Sequence, residues 1–195
     1  MINKEEFKIR EGRPEDAEAI SKVVQMAMHE ECCLAFAGTE ERLPLVDETF
    51  TILAGRPDSQ YSYRNTLVAE DAKGNVAGAI VSYDGARMHE LRQAFVEVAN
   101  RVMNCGFVEA EMDNETSDDE IYLDSLAVFP AYRGNGLARK LMDAACRRHA
   151  SAGKPFGLLC APGNDDAYAL YGRLGFQEIG LRPFAGITMR HMVRR

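Results

Sequence analysis

The chain has 195 residues, 46% hydrophobic and 27% charged, with a net charge of −7. That suits one compact domain with a full core over residues 1–195. A chain this acidic lacks the Lys/Arg excess that nonspecific nucleic-acid binding needs, so nucleic acid is not an expected partner. A cationic small molecule or a basic peptide suits the charge better.

The five cysteines, Cys32, Cys33, Cys105, Cys146 and Cys160, form no C-x-x-C pair. The odd count and the spacing argue against a disulfide framework or a zinc site and point to free thiols in a reducing cytoplasm. The opening Met-Ile-Asn-Lys-Glu-Glu has no apolar signal core. No apolar run reaches the length of a membrane span, so no membrane association is expected.

In chain order, Phe7–Arg10 reads as a short strand. Pro14, with Glu15 and Asp16, starts a helix whose buried stripe is Ile20, Val23, Val24 and Ala27. A second helix is expected from about Glu40 to Leu53, followed by a loop at Gly55–Ser59. Thr66–Glu70 and Val76–Tyr83 read as an antiparallel pair turned at Asp71–Asn75. Gly78 inside the second strand marks a bulge or a close backbone approach.

Between Ala86 and Asn104, Met88, Leu91, Phe95, Val98 and Val102 recur near every 3.5 residues, with Arg92, Glu97, Asn100 and Arg101 elsewhere on the wheel. That spacing predicts an amphipathic helix covering the sheet. Its functional alternative is a lid or a subunit contact, which leaves a homodimer open. The carboxylates from Glu109 to Glu120 read as a solvated loop that also draws in a cation.

Ile121–Phe129 reads as a buried central strand that Pro130 stops. Then come Arg133-Gly134-Asn135-Gly136-Leu137-Ala138 and a helix to about Ala152 with Leu137, Leu141, Ala144 and Ala145 on one face. Strand, glycine loop and helix N-terminus make an anion-binding junction, because the first helical turn offers unpaired N–H groups and the positive end of the dipole. No Gly-Lys-Ser/Thr follows, so it is not a P-loop, and the third glycine of a dinucleotide fingerprint is missing. Phe156–Cys160 reads as the next strand and Asn164 as the cap of a helix to Leu174. Phe176–Leu181 and Ile187–Val193 form a last antiparallel pair.

The loop resembles the coenzyme-A loop of the GNAT N-acetyltransferase superfamily, Arg/Gln-x-x-Gly-x-Gly/Ala, with Arg133, Gly136 and Ala138 in the fixed places. Downstream, Asn164, Ala167, Leu170, Tyr171, Gly175 and Phe176 match that family's second motif, Asn-x-x-Ala-x-x-Leu-Tyr-x-x-x-Gly-Phe. The resemblance implies an α/β fold, a mixed, mostly antiparallel sheet flanked by helices; the 86–104 helix would be an insertion between strands 3 and 4. It also implies acetyl transfer from acetyl-CoA to a primary amine, on a small molecule or a peptide, by direct attack in a ternary complex without a metal. A coenzyme-A-binding regulatory domain without turnover, or use of another acyl-CoA donor, would share the loop.

By the same resemblance, Leu126, Ala127 and Val128 line the cofactor, with backbone groups of Leu126 and Val128 pairing the pantetheine arm. Amides from Arg133, Gly134, Asn135, Gly136, Leu137 and Ala138 take the pyrophosphate, and Asn164 is a further contact. Tyr171 is the expected acid for the leaving thiolate, since a phenol with a pKa of about 10 stays protonated at neutral pH. Asp124 and then Glu120, alternating with Tyr122 along one strand face, are the expected bases.

Overall fold

The structure, a computed structural model, describes residues 6–28 and 30–195; most of the opening stretch inspected for a signal core lies outside it. Seven strands form one sheet: β1 (Lys8–Glu11), β2 (Thr66–Glu70), β3 (Val76–Asp84), β4 (Ile121–Val128), β5 (Phe156–Cys160), β6 (Gln177–Phe184) and β7 (Ile187–Arg194), in the order β1-β2-β3-β4-β5-β7-β6. All neighbours are antiparallel except β4 and β5. The expected mixed, mostly antiparallel sheet is therefore present.

Helices cover both faces. On one lie α1 (Ala17–Met28), α2 (Glu30–Ala37), α3 (Leu43–Gly55) and α4 (Met88–Met103); on the other lie α5 (Leu137–Arg148) and α6 (Asp165–Arg173). The first core joins Ile20, Phe50, Leu91, Phe95 and Val98 to Val81, Tyr83 and Tyr122. The second joins Leu137, Leu141, Met142 and Ala145 to Ile80, Leu123, Leu158 and Phe176. Each fully buried Leu, Val or Phe contributes roughly 1.5–3 kcal/mol, so packing of one apolar stripe holds each helix. Asp16 shapes the entry to α1: its Oδ2 accepts from the Arg13 N–H at 2.8 Å, and both its oxygens accept from Arg10.

Four readings of the sequence change. The helix expected at 40–53 is a 3₁₀ turn at Glu40–Arg42 followed by α3, and a helix the sequence did not signal, α2, precedes it. The helix between β3 and β4 is present, but Arg92 lies in its buried stripe, 1% exposed. Arg92 is four residues after Met88 and three before Phe95, so it shares their face. In the acidic run, Glu115 and Glu120 are buried rather than solvated, because Arg92 pairs with Glu115 and the donors of His191, Thr116 and Ser117 satisfy Glu120. The helix expected to reach Ala152 ends at Arg148 and continues as a 3₁₀ turn.

Gly78 shows the close approach its position suggested. A Cβ there would lie 2.6 Å from the Ala127 carbonyl oxygen, too near for any side chain. A register shift between Ala69 and Glu70 lies directly across from it.

Candidate active site

The parallel pairing of β4 and β5 is short. Ile121 pairs with Phe156 and Tyr122 with Gly157, and there the register ends. Beyond it the strands part, leaving one edge of β4 without a strand partner. The Phe129 N–H bonds Ala77 O at 2.9 Å. Successive residues point their backbone groups to opposite edges, so Ala127 and Phe129 face β3 while Leu126 and Val128 face the gap. Ala127 thus spends its backbone groups on β3.

The glycine loop closes one end of this gap. Gly134 and Gly136 have φ of 82° and 69°, the left-handed region that favours glycine, and a Cβ on either would meet no atom within 4 Å. Gly136 is the residue before α5, and Leu137 and Leu141 anchor that helix in the core. The helix N-terminus therefore opens onto free space with backbone N–H groups exposed. Arg133 Nε donates to Val128 O at 3.2 Å, tying the loop to the strand, and Asn135 Nδ2 donates to Tyr132 O at 3.1 Å. An extended acyl-thioester arm with a pyrophosphate fits these groups: a strand edge, then a side-chain-free cradle of amides at a helix dipole.

Asn164 caps α6, accepting from the Ala167 N–H at 3.2 Å. The helix carries Tyr171, which packs edge-on to Phe176 at 6.1 Å in the cluster that also holds Leu126 and Val128. Burial, and then the neighbouring Cys160, push its hydroxyl up to about 12, so it stays a proton donor.

Asp124 sits on the other face of β4. Val81 pairs with Ser125 and Ser82 with Leu123, so Asp124 is the extra residue of a β-bulge. Bulges re-aim side chains, and this one turns Asp124 toward the α4 side with partial exposure left. Its carboxylate accepts from Tyr83 Oη at 3.1 Å and Ser125 Oγ at 2.7 Å. Burial pushes the carboxyl up to about 6 against those bonds.

Behind Asp124 lies a polar chamber whose full membership the sequence did not announce. Glu115 accepts from Arg92 at 3.3 Å, Gln60 Nε2 at 3.4 Å and Tyr122 Oη at 3.5 Å. Burial, and then the charge of Asp124, push Glu115 up to about 7. Tyr61, Tyr83 and Tyr122 are driven well above the ordinary phenol value by burial and remain neutral. The phase of Arg92 in α4 was the one available signal. Nothing in the acidic run marks Glu115 out from its neighbours.

Glu120 occupies different surroundings. It accepts from His191 Nε2 at 2.9 Å, Thr116 Oγ1 at 2.8 Å and the Ser117 N–H at 3.1 Å, and fills the space above Gly157. Burial raises its carboxyl, but His191 and Thr116 outweigh that and the net shift is downward. It is a spent acceptor at the junction of β4 and β5. Among the described residues no cluster of His, Cys, Asp or Glu side chains is placed to hold a metal, and no helix is long and apolar enough to cross a membrane.

A helix-flanked sheet that splits beside a glycine loop defines an acyl-transfer enzyme fold. The chain belongs to the acetyltransferase (GNAT) family, whose model matches residues 39–176, and is an acyltransferase. It is similar to an N-acetyltransferase from Staphylococcus aureus Mu50, at 25% identity and a TM-score of 0.74, over 95% of this chain and 99% of that one. A second acetyltransferase structure is 29% identical with a TM-score of 0.70, over 96% and 98%. The NatC complex bound to Gag peptide and CoA shares the fold at 17% identity and a TM-score of 0.58, over 97% and 98%. Among curated proteins nothing matches.

Proposed function

We propose that the chain, working as one unit, transfers the acetyl group of acetyl-CoA to a primary amine by direct attack in a ternary complex. The observation that carries this is Asp124. A β-bulge brings the half-buried Asp124, its carboxyl raised to about 6 by burial, to the strand that borders the β4–β5 gap, with Tyr171 on the opposite face. A general base works best with a pKa near the working pH.

Backbone groups of Leu126 and Val128 hold the pantetheine arm, and the amides from Arg133 to Ala138 hold the pyrophosphate, with Asn164 shaping the end of the gap. Acetyl-CoA supplies the acyl group as a thioester. Asp124 takes a proton from the ammonium, freeing the nitrogen lone pair to form the new C–N bond as the C–S bond breaks. Tyr171 gives its phenolic proton to the departing sulfur, the second proton lost by the amine nitrogen restores the phenol through solvent, and the proton on Asp124 is released, so the balance is one amide, one thiol and one released proton. Glu120 is not given the base role, since its lone pairs are committed.

Free-thiol release with acetyl-CoA and a panel of amines, amino acids and basic peptides tests this. Amine-dependent release that Asp124→Asn abolishes supports it. Cofactor binding without turnover of any amine would favour a regulatory domain instead.

A further inference from the structure

The polar chamber behind Asp124 holds more charge than a single base requires. Glu115 and Gln60 are 4% and 2% exposed, and Arg92 is 1% exposed. Gln60 Nε2 donates to Glu115 at 3.4 Å and its amide also holds the Asp124 carboxyl down, so the two carboxylates share one neighbour. With both ionised, Arg92, which Glu109 also reaches at 3.7 Å, matches at most one charge, and at least one is left over. Gln60 Oε1 is buried and has no hydrogen-bond partner among the described residues. A buried acceptor without a donor is uncommon in folded proteins. Its own amide nitrogen donates to Glu115, so the orphan oxygen borders the same chamber, where Arg92 Nη1 is also buried without a hydrogen-bond partner among the described residues.

We propose that Asp124 and Glu115 form one carboxylate pair whose excess charge, beside the orphan amide oxygen of Gln60, receives a primary ammonium. Glu115 and Gln60 are positioning residues of this acceptor site. The inserted helix α4 builds its back wall through Arg92. A primary ammonium carries three N–H donors and one positive charge, which matches two carboxylates, one amide oxygen and a deficit of at least one cation. This rests on the amine-acetylation reading above and narrows it to primary amines that enter as the ammonium.

Other titratable groups facing the pair are Tyr61 from the loop after α3, Tyr83 from β3 and Tyr122 from β4, all neutral, with Glu109 reaching Arg92 at 3.7 Å. In the free enzyme the pair therefore loses its protons in two steps that belong to the pair as a whole. The second must be complete before the ammonium enters.

The test uses the full chain and n-propylamine as probe acceptor, with kcat and KM followed from about pH 5 to 9. Carboxyl infrared titration of the free protein gives a reading independent of turnover. Glu115→Gln is expected to leave one carboxyl titration step in place of two and to move the acid limb of kcat/KM about one pH unit lower. KM for the probe should rise about 10-fold or more while kcat changes less. Gln60→Leu should raise KM without removing a titration step. If Glu115→Gln fails to fold, Arg92→Met combined with Glu115→Leu removes both charges and must leave one carboxyl step. A folded variant lacking Glu115 whose infrared titration matches wild type overturns the proposal. If Asp124→Asn retains full turnover, the reading of the base fails, whatever Glu115 does. If Asp124→Asn is inactive and the Glu115 variants titrate like wild type, only this inference fails.

Discussion

His191 on β7 donates through Nε2 to Glu120 Oε2 at 2.9 Å, a buried hydrogen-bonded pair at the point where β4 and β5 cease to pair. Arg182 lies 3.9 Å from the other oxygen, Oε1. Removing one partner of such a pair strands the other, at a typical cost of about 3–5 kcal/mol. Glu120→Ala should therefore lower the melting temperature strongly, while kcat of the surviving folded fraction falls less than about 10-fold. The pH dependence has a fixed sign. The carboxyl is lowered in the fold, so its contribution is present above the unfolded value of about 4.3 and is lost as pH falls through the folded value. Thermal melts from neutral to acidic pH check this: the wild type should lose more stability on acidification than Glu120→Gln. Rates normalised to the folded fraction from the melts separate stability from turnover, and a fully stable but inactive Glu120→Gln would restore the base role to Glu120.

Asp124→Asn should lower kcat/KM by about 10²–10⁴-fold, the usual worth of a general base. Its stability effect runs opposite to that of Glu120. Asp124 and Glu115 keep protons in the fold up to about 6 and 7, whereas unfolded carboxyls ionise near 4. The folded state binds more protons in that interval, so these two groups make stability fall as pH rises from about 5 to 8. Melting curves of Asp124→Asn should be flatter over that range. A slope equal to wild type would show that Asp124 does not titrate there.

Tyr171→Phe keeps the ring against Phe176 and removes only the hydroxyl. Turnover should fall by about 10²–10⁴-fold if the phenol is the acid. Stability should change by no more than about 1 kcal/mol, the scale of one hydrogen bond. Steady-state rates beside a thermal melt decide it, and a wild-type rate removes Tyr171 from the chemistry.

Gly136→Val places a β-branched side chain where φ is 69° and the surrounding space is open. No atom is displaced, so the penalty is backbone strain of about 1–2 kcal/mol. Calorimetry should show lost acetyl-CoA binding in a protein that still folds. Unchanged affinity would move the pyrophosphate site elsewhere.

The sequence by itself determined the parts governed by short-range rules. Strand, glycine loop and helix from Leu126 to Leu141 were legible because proline, glycine and apolar spacing act over a few residues. So was the capped helix from Asn164, and so was α4, whose stripe repeats along its whole length. The tertiary structure decided what depends on pairing at a distance. Glu115 and Glu120 look alike in one acidic run, yet one joins Arg92 and Gln60 while the other joins His191, 71 residues away. The bulge at Asp124 exists only against β3, and the β4–β5 gap only against β5. A carboxyl's solvation and charge neighbours set its pKa, and those are properties of contacts that no local pattern encodes.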